Sequence, residues 1–208
     1  MTAGKFITLE GGEGVGKSTN LDFVVSRLRA RGLEVIATRE PGGTAFGEAV
    51  RGIFLHQDPL RPEAELLLLF AARVHHLREV IEPALRRGAW VVCDRFTDAS
   101  YAYQGAGRGI KPGIIDFLRD WIQAGLRPDL TLLLDAPVDI GLRRAHQRSG
   151  PDRLEREDSA FFARVREGYL ALARTEPDRI RVIDADRPLV LVQAAIAAQL
   201  DSLLDGCV

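Results

Sequence analysis

A glycine-rich segment near the N-terminus has the spacing of a phosphate-binding loop. Residues 11–18 read GGEGVGKS and fit the pattern G-x-x-x-x-G-K-[ST], between an apolar run and an amphipathic helical pattern. Glycines let backbone N–H groups converge on phosphate oxygens, and the N-terminus of the following helix adds positive dipole character. We predict that the segment binds a nucleoside triphosphate; the alternative is a glycine-rich turn that matches by accident. The predicted contacts are Gly11, Gly12, Glu13, Gly14, Val15, Gly16, Lys17, Ser18 and Thr19.

Two residues of this loop have side chains suited to phosphoryl chemistry. Lys17 is a compact cation that can reach the β- and γ-phosphates, where a planar guanidinium would fit poorly. Ser18 offers its hydroxyl to Mg²⁺. The chain has 25 Arg and only three Lys, so a retained lysine at this position is informative.

Charged residues also stand where predicted strands end. Arg39 follows the second strand, and Asp94 and Arg95 follow the third. An acid at a strand end beside a phosphate loop is well placed for Mg²⁺, directly or through water, and the adjacent arginine can neutralise charge during transfer. Asp135, at the end of the fourth strand, is an alternative metal ligand. Surface or structural ion pairs are the competing interpretation for each arginine and for Asp94.

Composition limits the class of protein. The 208 residues carry a net charge of −1 and are 46 % hydrophobic, which suits one domain over residues 1–208 without a basic nucleic-acid-binding face. Cys93 and Cys207 lie far apart, as in a cytoplasmic protein without a disulfide scaffold. No apolar run is long enough to span a membrane. We therefore expect a cytoplasmic protein that binds neither nucleic acid nor a membrane.

The order of the elements predicts the fold class. Five β-branched, apolar runs at 6–10, 33–38, 90–93, 130–134 and 180–183 alternate with helical patterns. The predicted helices include one that follows the phosphate loop, a long one over 63–87 bent near Pro83, and those at 112–125, 138–148, 157–174 and 189–204. This order predicts an α/β, three-layer P-loop fold with a five-stranded parallel sheet and helices on both faces. Ligands of such sheets bind beyond the carboxyl ends of the strands.

Four motifs give the chain a resemblance to bacterial thymidylate kinases that runs almost end to end. They are LEGGEGVGKST at 9–19, TREPGGT at 38–44, CDRFTDASYAYQGAGRG at 93–109 and LRRAHQRSGPDRLE at 142–155. The second and third are specific to that family, the fourth is moderately specific and the first is generic. The resemblance implies ATP-dependent phosphorylation of dTMP to dTDP in dTTP synthesis, with Mg²⁺ and as a homodimer.

The resemblance also implies roles for the charged residues. It assigns Glu13 to the 3′-hydroxyl of the acceptor sugar, with help at the metal, and Arg39 to the acceptor phosphate. Asp94 would hold Mg²⁺, and Arg95 would bridge the donor and acceptor phosphates. For Glu13, the alternative is an acid that faces solvent.

Three residues of the third motif are implied to contact the nucleoside. Ser100 is expected at the edge of the base, Tyr103 against the sugar, and Gln104 near the base or the phosphate. A tyrosine packed against C2′ would leave no space for a 2′-hydroxyl and so select deoxynucleotides. Structural packing of Tyr103 is the competing interpretation.

The base pocket departs from a common pattern of the family. Phe70 and Arg73 share a helix face, so an aromatic ring could stack on a pyrimidine while the arginine bonds its carbonyl. Many relatives place the aromatic residue four positions before the arginine, and that position here is Leu69. Either Phe70 stacks from a rotated approach, or Leu69 supplies apolar contact, or the helix face only packs.

A loop rich in arginine is predicted to form a mobile lid at 143–156. The phosphate loop has no arginine between Gly11 and Gly16, so the cation for transfer must come from elsewhere. The resemblance is to a branch of the family whose lid supplies it, which makes Arg148 and then Arg153 the predicted catalytic residues. Solvated helix arginines are the alternative.

Two rival functions remain open at this point. One is a kinase of the same fold with another acceptor, and the other is a regulatory NTPase or nucleic-acid-dependent ATPase. The chain has no NKxD-like guanine motif and no basic tract, which counts against the second. The four histidines lack metal-ligand spacing with a nearby cysteine and are interpreted as surface or packing residues.

Overall fold

A computed structural model of the chain describes residues 4–56, 60–147 and 157–205. Within them lies a single sheet of five parallel strands in the order β2-β3-β1-β4-β5. The strands are β1 Phe6–Glu10, β2 Val35–Arg39, β3 Trp90–Asp94, β4 Leu130–Asp135 and β5 Ile180–Asp184. The predicted parallel sheet is confirmed. Four of its strands end one residue later than predicted, and one of these, β2, also begins two residues later.

The helices of the described residues pack on both faces of this sheet. They are α1 Lys17–Ala30, α2 Ala45–His56, α3 Pro62–His76, α4 Glu82–Arg86, α5 Thr97–Ser100, α6 Pro112–Gln123, α7 Val138–His146, α8 Ser159–Thr175 and α9 Leu189–Asp205. Two π-helical turns, Leu77–Ile81 and Tyr101–Gly107, continue α3 and α5. The first of these turns interrupts the long helix predicted over 63–87. Pro83 lies at the start of α4, directly after this π-helical turn, where it cannot donate the backbone hydrogen bond that would continue the helix.

Strand β1 lies at the centre of the sheet and is buried along its whole length. All five of its residues are buried, because helices cover both faces and successive side chains point to opposite sides. Ile7 and Leu9 enter the core beneath α1 and α9, whereas Phe6 enters the core beneath α3, α4 and α6. The edge strands β2 and β5 are only partly covered, and both contain exposed residues.

The register brings the predicted site residues to one edge of the sheet. Leu9 pairs with Asp94, and Asp94 pairs with Arg39, so three strands end beside one another just before their functional loops. The site therefore lies beyond the carboxyl ends of the strands, as expected for this topology.

Candidate functional site

The loop between β1 and α1 has the backbone of a phosphate cradle. Gly11, Gly14 and Gly16 all have positive φ values, of 137°, 67° and 88°, which residues with a Cβ rarely adopt. A Cβ on Gly14 would also collide with the backbone oxygen of Gly141 on α7. Helix α1 begins at Lys17, so the positive end of its dipole points into the loop. The sequence folds this way because only glycine fits these three positions.

Lys17 lies folded over this loop. Its Nζ donates to the carbonyl oxygens of Gly11 at 3.1 Å and Gly12 at 2.6 Å. Burial and the nearby Arg95 guanidinium lower the pKa of Lys17, although the carboxylates around it oppose that shift. The cation is thus held by two backbone carbonyl oxygens, and a bound phosphate group would offset both the cost of its burial and its repulsion by Arg95.

Glu13 lies between two cations and a tyrosine. Its Oε1 accepts from Arg95 Nη2 at 2.6 Å and from the Tyr103 hydroxyl at 2.8 Å. Burial alone would raise the pKa of Glu13, but Arg95, Lys17 and these hydrogen bonds lower the pKa to about 2. Glu13 is therefore ionised at neutral pH, and the interpretation as an acid facing solvent does not hold.

Arg95 is fixed in an unusual conformation. Its φ of 67° is in the left-handed region, and its guanidinium lies 4.6 Å from the centre of the Tyr103 ring. The Arg95 backbone N–H donates to the Leu9 carbonyl oxygen at 3.0 Å. A strained non-glycine residue of this kind persists only where its surroundings hold it, and such residues cluster at functional sites.

Asp94 and Ser18 have the features expected of Mg²⁺ ligands. The two residues line the same cavity, here called the edge cavity, together with Arg39, Glu48 and Asp22. Asp94 Oδ1 is buried and has no hydrogen-bond partner among the described residues, so an oxygen ligand is left for a cation. The described part of the chain holds no cluster of three or more His, Cys, Asp or Glu residues that could bind a metal. A Mg²⁺ ion bound by Ser18 and Asp94 would therefore take its other ligands from phosphate and water.

The alternative metal ligand, Asp135, is already paired. Arg166 on α8 donates to both of its carboxylate oxygens, at 2.7 and 2.8 Å. This bidentate ion pair supports Asp94 over Asp135 as the metal ligand.

Two further cavities meet at Arg95. The loop cavity is formed by the phosphate loop, Arg51, Asp94 and Arg95. The helix cavity lies between α3 and the Tyr101–Gly107 turn, and Arg95 lines it too. It is lined by Glu40, Pro41, Phe54, Leu69, Arg73, Arg95, Phe96, Ala99, Ser100, Tyr103 and Gln104. Six predicted nucleoside or phosphate contacts thus surround one space.

Buried polar contacts hold Arg73 in the wall of the helix cavity. Its Nε donates to Glu40 Oε2 at 2.7 Å, and its terminal nitrogens donate to Ser100 Oγ at 3.2 and 3.3 Å. His76 Nδ1 pairs with Glu40 Oε1 at 2.9 Å, so this histidine is a buried packing residue as expected. Arg73 and Ser100 are both almost fully buried, and the arginine is fixed before any ligand binds.

Leu69, not Phe70, faces the helix cavity. Phe70 is 1 % exposed and packs in the core with Phe6 and Leu77, while the Arg73 guanidinium lies 4.5 Å from the centre of its ring. Successive helical residues point about 100° apart, so a shift of one position changes the face. The lining favours Leu69 as the apolar contact with a base, and its aromatic residues are Phe54, Phe96 and Tyr103.

Arg39 does not lie with Arg73 and Arg95. It lines the edge cavity, is half exposed and pairs with Glu48 Oε2 at 2.9 Å. Arg51 occupies the place that the sequence suggested for Arg39, since it lines the loop cavity beside Arg95. Burial together with the charges of Arg39 and Arg95 lowers the pKa of Arg51, and no ion pair of Arg51 occurs within the described residues.

Sequence reasoning missed Arg51 because it missed α2. The spacing of Phe46, Val50 and Phe54, four residues apart, was a usable signal of a helix. Val50 and Phe54 are indeed buried against Ala72.

A fourth cavity borders the other side of the phosphate loop. It is lined by Gly14–Gly16, Thr19 and Asn20 from the loop and α1, and by Arg144, Ala185, Arg187, Leu189 and Val192. Arg144 on α7 donates to the Ala185 carbonyl oxygen at 2.9 Å and so forms one wall of it. The predicted lid residues Arg148 and Arg153 lie outside the described residues.

The structure contains no candidate membrane span: none of its described helices has the length and hydrophobicity that crossing a bilayer requires.

Comparisons with known proteins agree with this geometry. The thymidylate kinase family model matches residues 9–196. A thymidylate kinase of Methylococcus capsulatus is 90 % identical over 206 residues, which cover 99 % of both chains. One from Chromohalobacter salexigens is 60 % identical, with 98 % of both chains covered. The crystal structure of thymidylate kinase from Ehrlichia chaffeensis has a TM-score of 0.78 at 32 % identity, covering 95 % of this chain and 99 % of that one.

Both the family match over nearly the whole chain and the identity of these relatives lead to the same conclusion. The chain belongs to the thymidylate kinase family.

Proposed function

We propose that, in the phosphorylation of dTMP to dTDP that this thymidylate kinase carries out, the triphosphate of ATP binds in the loop cavity and dTMP in the helix cavity. The observation that carries the proposal is the position of Arg95, which lines both cavities. Its guanidinium can contact both nucleotides at the point where they meet. Phosphoryl transfer depends mainly on such positioning and charge neutralisation.

The helix cavity suits a deoxynucleoside monophosphate. The Arg73 donors and the Ser100 hydroxyl would contact the carbonyl edge of thymine, with Gln104 beside them and Leu69 and Phe96 against the ring. The amide of Gln104 also contacts Glu65 Oε2, at 3.5 Å.

Glu13 and Tyr103 would contact the sugar. The ionised Glu13 carboxylate can accept a hydrogen bond from the 3′-hydroxyl. The Tyr103 ring, fixed by its bond to Glu13 and by burial, would exclude a 2′-hydroxyl. The expected preference for deoxy acceptors follows from this steric limit.

Four cations would share the phosphate groups. Lys17 and the loop N–H groups would hold the triphosphate, and Arg95 would lie between it and the acceptor phosphate. Arg51, in the loop cavity, and Arg39, in the edge cavity, are the candidates for the acceptor phosphate. Arg51 is favoured because an anion would relieve the repulsion that lowers its pKa.

Mg²⁺ would be held by Ser18 and Asp94, where it neutralises charge on the phosphate oxygens. The buried, unpaired Oδ1 of Asp94 supports this assignment.

The fourth cavity would hold the adenine of ATP. It lies beside Gly14–Gly16 and Thr19 and shares no lining residue with the helix cavity, which supports this proposal. Arg144 can pack its guanidinium against the purine.

Residues 143–156 would act as a lid that supplies Arg148, and secondarily Arg153, to the transferring phosphoryl group. We expect Arg148→Ala to lower kcat more than it raises KM for dTMP; an effect on KM alone would contradict a transition-state role.

A homodimer is supported by an exposed apolar face. Ile114, Phe117 and Trp121 lie on one side of α6, with spacing of three and four residues, and are between 50 % and 71 % exposed. Leu67 and Val74 are exposed on the neighbouring α3. An apolar surface of this kind is typical of a subunit interface. We also expect the enzyme to be cytoplasmic and to bind neither nucleic acid nor a membrane.

The acceptor assignment is tested by ADP release with dTMP, dUMP, dCMP, dGMP and UMP as acceptors. The highest kcat/KM is expected for dTMP, and a better acceptor among the others would refute the assignment. ATP hydrolysis that is slow and unchanged by dTMP would instead indicate a regulatory NTPase. Lys17→Ala is the control, because it should abolish nearly all transfer while the protein remains folded.

A further inference from the structure

The last residue of β1, Glu10, lies directly before the phosphate loop and has no role in the contacts proposed above. It is fully buried, and both of its oxygens are bonded. Oε1 accepts from the backbone N–H of Phe96 at 2.7 Å, and Oε2 accepts from the Tyr169 hydroxyl at 2.8 Å. One carboxyl group thus joins the strand before the loop, the turn after β3 and helix α8.

The Phe96 contact bears directly on Arg95. Arg95 has a left-handed backbone, and its two flanking N–H groups, its own and that of Phe96, donate to Leu9 and Glu10 of β1. The left-handed conformation is unfavourable for a residue with a Cβ. The two bonds to β1 help to hold it, together with bonds from Cys93 Sγ and Arg73 to the carbonyl oxygens of Arg95 and Phe96, while the Arg95 guanidinium donates to Glu13.

The Tyr169 contact links α8 to the same turn. Tyr169 is 3 % exposed, and its ring packs edge-on against Tyr103, whose own ring lies beneath Arg95. Helix α8 packs closely on the Tyr101–Gly107 turn, because a Cβ on Gly168 would lie 2.7 Å from that of Ala106. Helix α8 begins at Ser159 and so follows the predicted lid at 143–156 in the chain.

We propose that Glu10 is a positioning residue for phosphoryl transfer, holding Arg95 in its left-handed turn and coupling that turn to α8 through Tyr169. The proposal rests on the proposed function, in which Arg95 contacts both nucleotides. The hydrogen-bonding oxygens of Glu10, not its negative charge, are what the role requires. Burial and the nearby Asp98 raise the pKa of Glu10 to about 8, which agrees with a carboxyl group that acts without being ionised.

The test compares two replacements of similar size. Glu10→Met removes both acceptors, and we expect kcat to fall at least tenfold while KM for ATP and dTMP changes less than threefold. Glu10→Gln keeps a carbonyl oxygen for Phe96 and an amide that can bond the Tyr169 hydroxyl, so it should recover most of kcat. Ile196→Ala is the matched control, since it disturbs the core beneath α9 and should lower stability with kcat unchanged.

A double-mutant cycle with Arg95→Ala shows whether the effect of Glu10 on kcat depends on Arg95. If Glu10 acts through Arg95, Glu10→Met should have almost no further effect on kcat in the Arg95→Ala background. Effects that multiply in the double variant would overturn the proposal. So would a Glu10→Met enzyme whose kcat equals that of the wild type.

Tyr169→Phe gives an independent test should Glu10→Met fail to fold. It removes only the hydroxyl, and we expect a two- to fivefold fall in kcat that disappears in the Arg95→Ala background. An unchanged kcat would overturn the coupling to α8. Failure of the proposed function would look different, because then Arg95→Ala itself would leave phosphorylation of dTMP intact.

Discussion

The buried ion pair between Arg73 and Glu40 makes a quantitative prediction about stability and acceptor binding. The two side chains are 2 % and 5 % exposed and lie 2.7 Å apart. Arg73→Met keeps much of the side-chain volume but leaves the Glu40 carboxylate buried with His76 as its remaining side-chain partner. Removing one member of a buried pair costs roughly 3–5 kcal/mol. For a chain of this length, that loss lowers Tm by about 6–20 °C.

The double variant separates the charge from the packing. Arg73→Met with Glu40→Gln leaves no unpaired buried charge, so most of the lost free energy of unfolding should return. Acceptor binding should not return with it, because the donors that face the base are still missing. We expect KM for dTMP to stay at least tenfold above that of the wild type in both variants.

Urea unfolding followed by circular dichroism measures the stabilities, and ADP release measures the kinetics. Arg174→Met is the matched control, since Arg174 and Glu167 form a surface pair that is 62 % and 65 % exposed. Exposed pairs contribute at most about 1 kcal/mol. A loss below that value for Arg73→Met, or a double variant no more stable than the single one, would refute the reasoning.

Three further predictions concern the loop cavity and β1. Arg51→Ala should raise KM for dTMP at least tenfold and Arg39→Ala much less, measured by ADP release; equal effects would contradict the choice of Arg51. Asp94→Asn should raise the Mg²⁺ concentration for half-maximal rate at least tenfold, and an unchanged Mg²⁺ titration would exclude Asp94 as a ligand. Because the pKa of Glu10 rises from 4.5 to about 8 on folding, the folded state binds more protons between these values, and its free energy of unfolding falls as the pH rises from 4.5 to 8. This fall is at most about 5 kcal/mol, at 1.4 kcal/mol per pKa unit, and it should be absent in Glu10→Gln. If the free energies of unfolding of the two proteins changed in parallel with pH, Glu10 would not have the raised pKa.

The parts of the fold that were predictable have a local cause. The strands at 6–10 and 130–135 are mainly apolar, and the phosphate loop has glycines at the positions where the backbone needs positive φ values. Helix α2 was missed because it contains two glycines and follows a glycine-rich loop, both of which weaken a helical pattern.

The details of the site were less predictable because they depend on contacts distant in sequence. Whether Leu69 or Phe70 faces the ligand depends on the rotation of α3 against the sheet. Arg39 and Arg51 differ in position because Glu48 binds the first and leaves the second in the cavity. Nothing in the sequence near Glu10 indicates that Tyr169, 159 residues away, donates to it.

Glu10 and Glu13, three residues apart, show how one short segment can contain two acids of opposite behaviour. Burial raises the pKa of both carboxyl groups, so desolvation alone would make them alike. Glu10 has the Asp98 carboxylate nearby, which its bonds from Tyr169 and Phe96 and the smaller effect of Arg95 offset only in part, and its pKa rises to about 8. Glu13 gains Arg95 and Lys17, and its pKa falls to about 2. Arg95 therefore has a charged acid beneath its guanidinium and a nearly neutral one beneath its backbone. Phosphate oxygens can replace the ionised Glu13 as partners of the Arg95 guanidinium when nucleotides bind. Glu10, which is mostly protonated, stays bonded to the backbone and keeps the turn in place.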